Sequence, residues 1–319
     1  MCLLPRTKIH LQGLPLALLF IAPLPAQIRG GAMVTHPRPA ILTWGSQLQL
    51  WPLDGSKPEL LQDKTNFGSA GCIADVDGDG QDDLLVQQHP GTGPMVWLKA
   101  PSWRARVVEK ETDFHDCLEF TLDGRRGVLV PHFNSQLRFY LFPGFEYKEI
   151  YSIYTASKQG GMLTHDVDHD GLPDLFLGNY WVRNPGKLDV DWRLYAINIF
   201  HETPGAALAA FGMWKDDWLF WAETSARPGR IVAYQPPPDR KQLWIEHRLE
   251  PLDEPRAILV HPRGVFIGHA GGVVLESLEG TAWHRTTIAK GIRVLKLLND
   301  RDNVIALTPE GPRWVYPLR

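Results

Sequence analysis

Two stretches of this sequence hold carboxylates at a spacing that could bind a hard cation. In IADVDGDGQDDLLV, Asp75, Asp77, Asp79 and Asp83 stand at positions 1, 3, 5 and 9, with Gly78 and Gly80 between them. In HDVDHDGLPDLFLG, Asp166, Asp168, Asp170 and Asp174 repeat the same four offsets. Calcium takes roughly six to eight oxygen ligands, which a short acidic loop supplies from side chains and one or two backbone carbonyls. The carbonyls of Gln81 and Leu172, at position 7, would serve as the backbone ligands. Glycine permits the positive φ that such tight winding requires. Four carboxylates this close repel one another without a cation, so the repeated spacing predicts two Ca2+ sites.

The flanking elements decide which kind of loop this is. An EF-hand needs a bidentate Glu at position 12 and helices on either side. Position 12 here is Val86 in one copy and Leu177 in the other. Leu84-Leu85-Val86 and Leu175-Phe176-Leu177 are short apolar runs that read as buried strands. Strand–loop–strand sites are therefore expected, and the EF-hand is excluded. Asp-x-Asp-x-Asp-Gly-x-x-Asp followed by a buried strand resembles the calcium loop of FG-GAP and VCBS repeats, the propeller blades of integrin α-chain heads and of many secreted bacterial proteins. His169 replaces the Gly usual at position 4, which supplies no side-chain ligand.

A blade repeat organises the rest of the chain. The loops are 91 residues apart, about two blade periods. A worn copy lies midway in EFTLDGRRGVLV, where Glu119, Thr121, Asp123 and Gly127 fall at the ligand positions; two carboxylates in place of four predict no metal there. Independently, an aromatic-rich strand, a Pro or Gly turn and a further strand recur along the chain. The turns fall at Pro52, Pro101, Pro143, Pro185, Pro236, Gly280 and Pro317, spaced by 49, 42, 42, 51, 44 and 37 residues. Seven hairpins at this pitch predict an all-β, seven-bladed β-propeller of four-stranded blades that stack radially to share one core. The 12 Trp are read as packing between blades. Blades are expected at about 31–64, 67–110, the worn segment, 158–201, 202–249, 252–288 and 290–319. The last lacks an outer strand, and a strand from within Gln27 to His36 is expected to close the ring.

Composition narrows the setting. Lys plus Arg number 33 against 36 Asp plus Glu, and no basic block points to nucleic acid. A positive leader (Arg6, Lys8, His10), an apolar core from Leu14 to Ala22 and Ala26 as a small residue for cleavage read as a signal peptide at 1–26. The apolar core is too short to span a bilayer. A single domain at 27–319, secreted or periplasmic, monomeric and without a membrane span, is expected. Cys72 and Cys117 then remain; their strand positions are out of register by one, and two separate buried residues are expected rather than a bridge.

The calcium is read as structural, since every strong ligand is protein and no open position is implied. At ~1 mM calcium and a Kd of ~0.1 mM, linkage stabilises by about 1.4 kcal/mol per site. No nucleophile elbow, phosphate-binding loop or zinc motif is present. His165, beside a calcium Asp, and His115-Asp116 read as ordinary strand residues. The resemblance implies ligands at the inner-strand starts, on the face opposite the calcium loops: Ser69, Asp113, Lys158, Gln159, Glu202, Glu254 and Lys290. A non-enzymatic binding module for a protein or carbohydrate partner is the leading reading. The alternative is a polysaccharide lyase, which needs a base and a charge-neutralising group, for which Lys158, Glu202 and Lys290 would have to cluster.

Overall fold

The computed structural model describes residues 27–36, 38–91, 93–112, 116–132, 136–152, 161–199, 209–224 and 227–317. Short apolar runs broken by Gly, Pro and Asp turns fold into seven antiparallel sheets, each a meander of consecutive strands. The first is β1 (Ile28–Val34), β2 (Ala40–Gly45), β3 (Leu48–Pro52) and β4 (Glu59–Gln62). The second is β5 (Gly71–Ala74), β6 (Asp83–Gln87), β7 (Gly93–Lys99) and β8 (Arg104–Thr112). The third is β9 (Leu118–Leu122), β10 (Arg125–His132), β11 (Gln136–Leu141) and β12 (Tyr147–Ser152). The fourth is β13 (Met162–His165), β14 (Asp174–Leu177), β15 (Tyr180–Arg183) and β16 (Arg193–Ala196). The fifth is β17 (Ala209–Met213), β18 (Leu219–Glu223), β19 (Gly229–Gln235) and β20 (Ile245–Leu252). The sixth is β21 (Ala257–His261), β22 (Gly264–His269), β23 (Gly272–Glu279) and β24 (Ala282–Lys290). The seventh has three strands, β25 (Lys296–Asp300), β26 (Asn303–Thr308) and β27 (Gly311–Tyr316).

The chain is thus an all-β, seven-bladed propeller, as the hairpin pitch predicts. Each expected turn residue closes or follows the third strand of its blade, from Pro52 at the end of β3 to Pro317 just after β27. The second strand of a blade is the most deeply covered, on both faces along most of its length. β2, β6, β14 and β18 are buried at every residue, including Asp83 and Asp174 at the head of two of them. Outer strands alternate instead, as β20 and β24 do, because only one face meets a neighbour. Trp44, Trp181 and Trp221 are among the largest fully buried side chains, filling the wedge between adjacent blades. Trp314 is an exception to the packing role, 38% exposed on β27.

Three expectations are corrected. β1 does not complete the seventh blade. It pairs with β2 as the inner strand of the first, since consecutive strands joined by a short connection pair most readily. The ring closes by packing of β1 on β25 and β26 and by the Ile28 N–H donating to the Pro309 carbonyl at 3.2 Å. Cys72 and Cys117 form a disulfide, Cα to Cα 5.4 Å, joining inner strand β5 to the residue before inner strand β9. Neighbouring blades are not hydrogen-bonded in register, so an offset of one position does not keep the sulfurs apart. The worn copy is not a loop: Asp123 and Gly124, with φ of 53° and 72°, make a two-residue hairpin between β9 and β10. Its Glu119 pairs with Arg126 at 2.7 Å.

Candidate functional site

Both acidic loops join the inner strand of a blade to its second strand, β5 to β6 and β13 to β14. Position 1 organises each. Asp75 accepts the N–H groups of Gly78, Asp79 and Gly80 at 2.9, 3.1 and 3.1 Å. Asp166 accepts those of Asp170 and Gly171 at 3.0 and 2.9 Å. Positive φ at Gly78 and Gly80 (75° and 81°) turns the backbone round the carboxylate. His169 takes the same conformation at φ 58°. Substituting Gly there is therefore not free, since a left-handed residue with a Cβ costs roughly 1–2 kcal/mol.

Position 9 ties the loop to the blade. Asp83 is fully buried and accepts the Val76 and Ala100 N–H groups at 3.3 and 2.8 Å. Asp174, equally buried, accepts from Val167 N, Asn184 N and the Trp181 indole at 3.2, 2.8 and 2.9 Å. Burial pushes the Asp83 carboxyl upward and that of Asp174 up to about 6.

The predicted ligands converge differently in the two loops. Oxygens of Asp75, Asp77 and Asp79 lie within 4.8 Å of one another in the first, and those of Asp166, Asp168 and Asp174 in the second. Asp83 stands outside the first set and Asp170 outside the second. Gln81 and Leu172 donate their N–H groups to Asp79 and Asp170 at 2.9 and 3.0 Å, so position 7 has the same turn in both. The donor set is oxygen only and multiply charged, and Asp168 Oδ1 is buried with no hydrogen-bond partner. These features fit a divalent hard cation, which would neutralise the carboxylates and staple the turn.

Sequence reasoning missed that each loop carries its own basic side chain from the third strand. Lys99, ending β7, pairs with Asp77 and, at 3.0 Å, with Asp79. Arg183, ending β15, pairs with Asp168 and Asp170 at 2.5 and 2.9 Å. Both stand two residues before the hairpin proline, a spacing the sequence displays. Neighbouring blades also hold the loops. Asp82 accepts the Thr35 hydroxyl at 2.9 Å and the His36 N–H at 3.0 Å, and Arg126 donates to the Asp75 carbonyl at 2.7 Å. His165 and His169 reach Asp217 of the fifth blade at 2.9 and 3.1 Å, so His165 is an inter-blade strut rather than an ordinary strand histidine.

The inner-strand starts lie at the opposite end of the blades. Of the expected rim, Asp113, Lys158, Gln159 and Glu202 fall outside the described residues. Ser69 is exposed just before β5. Lys290 is corrected: it ends outer strand β24, opposite Gly272, at the periphery of its blade. Glu254, between β20 and β21, is the focus of this face. Its side chain is 12% exposed and pairs with Arg227, with Arg256 at 2.9 Å and with Arg293 at 3.3 Å. These arginines come from the β18–β19 turn, the β20–β21 link and the β24–β25 link, so one carboxylate gathers three guanidiniums. Arg256 Nε is buried without a partner. Nearer the axis, burial raises the Asp116 carboxyl, an effect that Lys296 of the seventh blade's inner strand opposes. Nothing short of the fold marks these arginines, which sit 29 and 37 residues apart in unrelated contexts.

Residues 67–92, which contain the first acidic loop, match the FG-GAP repeat family. The chain is therefore a seven-bladed β-propeller carrying an FG-GAP repeat. It is similar in fold to YCF48 from Cyanidioschyzon merolae, with 10% identity, a TM-score of 0.58, and coverage of 91% of this chain and 95% of that one. It is also similar to the extracellular domain of a hybrid two component system from B. thetaiotaomicron, with 12% identity and a TM-score of 0.62. There the match covers 92% of this chain and spans 38% of that one. No curated protein matches the sequence. Among the described residues, no helix is long and apolar enough to cross a membrane.

Proposed function

We propose that this chain is an exported, calcium-stabilised propeller that acts as a non-enzymatic binding module, holding acidic groups of a protein or carbohydrate partner on the face where its inner strands begin. The observation that carries this reading is the convergence of Arg227, Arg256 and Arg293 on the single carboxylate of Glu254. Three guanidiniums present more N–H donors than one carboxylate can accept, and Arg227 and Arg293 are 66% and 52% exposed. Forked donors gathered on one face suit carboxylates or sulfates. Export is supported by the Cys72–Cys117 bridge, which persists in an oxidising compartment, and by the N-terminal leader. Calcium is supported by the oxygen-only loops and the orphaned Asp168 Oδ1. Its place is structural, on the face away from the arginines.

The test is binding of immobilised polygalacturonate and of an acidic peptide library to the purified chain at low and moderate salt. Salt-sensitive binding that the Arg227→Ala/Arg293→Ala variant loses supports the reading. Binding that the double variant retains rejects it.

A further inference from the structure

Between the fifth and sixth blades, outer strand β20 faces β23 and β24 across an open groove of about 640 Å³. Small-ligand pockets span roughly 300–1,000 Å³. Its ring lining includes His247 and Trp283, backed by Trp218 and Phe220 behind the groove surface. His247 of β20 lies 4.9 Å from Trp218, and Trp283 of β24 packs edge-on against Phe220 at 4.8 Å and against Trp218 at 6.1 Å. The floor is an ion-pair strut. Glu276, 3% exposed on β23, accepts from Arg285 Nε at 2.5 Å, and Arg285 also donates to the Glu250 carbonyl at 2.5 Å. Glu250, Arg248 and His284 stand at the mouth, 86%, 74% and 54% exposed.

The charges decide the class of ligand. Arg248 and Arg285 balance Glu250 and Glu276, and Arg285 and Arg248 are engaged with Glu276 and Glu246. A balanced, paired lining gives an ionic ligand no net attraction. It offers guanidinium donors, carboxylate acceptors and imidazoles that act as either, set beside indole surface. Polyhydroxylated rings present the complement, hydroxyls that both donate and accept around apolar C–H faces. We infer that this groove is a binding site for a neutral oligosaccharide, with Trp283 as the stacking surface and Arg285, Glu276 and His284 as hydrogen-bonding groups. It is independent of the arginine face, whose chemistry selects acidic partners.

The probes are neutral xylo-, manno-, cello- and malto-oligosaccharides, titrated calorimetrically into the purified full chain. Saturable binding to one series is expected. It should weaken at least tenfold in His284→Ala and in Trp283→Ala, and stay unchanged in Arg227→Ala/Arg293→Ala. Because Trp283 also packs on Phe220, the exposed His284 variant, with wild-type melting, keeps the test valid if the Trp variant misfolds. Absence of binding to all four series, or binding that ignores both groove substitutions, overturns the inference.

Discussion

Each aspartate of the loops has its own physical task. Asp75 and Asp166 wind the backbone, Asp83 and Asp174 anchor it, and Asp77, Asp79, Asp168 and Asp170 meet a lysine or arginine. Asp79→Ala and Asp170→Ala should each lower the melting temperature in calcium while leaving it nearly unchanged in chelator; equal losses in both buffers would show that the carboxylates act without an ion. Lys99 makes the complementary prediction. Replacing it with Met removes the cation that relieves Asp77 and Asp79, so the gap in melting temperature between calcium and chelator should widen. A different residue governs acid stability. His132 is 6% exposed beside Tyr140, and burial, aided by Arg138, pushes its pKa from 6.5 down to about 4. Between those values the unfolded chain binds a proton that the folded chain refuses, so stability falls as pH drops from about 6.5 towards 4, by on the order of 3 kcal/mol. Urea midpoints at pH 7, 5.5 and 4.5 should fall less steeply in His132→Gln than in wild type.

At the scale of strands, the blade is held by its double-sided second strand and joined to the next by few specific links. Trp221 on β18 is fully buried among Phe176, Trp181 and Val232, with its indole N–H on the Gly178 carbonyl at 3.2 Å. Trp221→Ala should cost roughly 3–5 kcal/mol, read as a lower denaturation midpoint with unchanged slope. The disulfide spans 45 residues and joins two blades through their inner strands. Chain-entropy reasoning gives about 4 kcal/mol for a loop of that length. Cys72→Ser/Cys117→Ser should therefore melt lower than wild type in oxidising buffer and equally in reducing buffer, and a reductant-independent difference would count against the bridge. The sequence could place both cysteines on inner strands. It could not show the bridge, because the approach of two blades depends on their tilt about the axis rather than on any ladder register.

The ring as a whole separates its chemistry by face. The acidic loops lie where inner strands end, the arginines gather where they begin, and the neutral groove opens between blades five and six. Closure relies on β1 packing against the seventh blade, and that blade takes no fourth strand from the described residues.

Local periodicity and turn chemistry were enough to reveal the strands, the seven hairpins and the two loops, because each depends on residues within a few positions of one another. The spacing of the Pro and Gly turns set the blade count, and the Asp offsets marked the loops. What joins distant segments had to await the fold: Lys99 and Arg183 reaching back to the loops, the disulfide, three arginines on Glu254, and a groove assembled from two blades. Those contacts depend on how the sheets twist and stack around an axis, and no local pattern of residues encodes that angle.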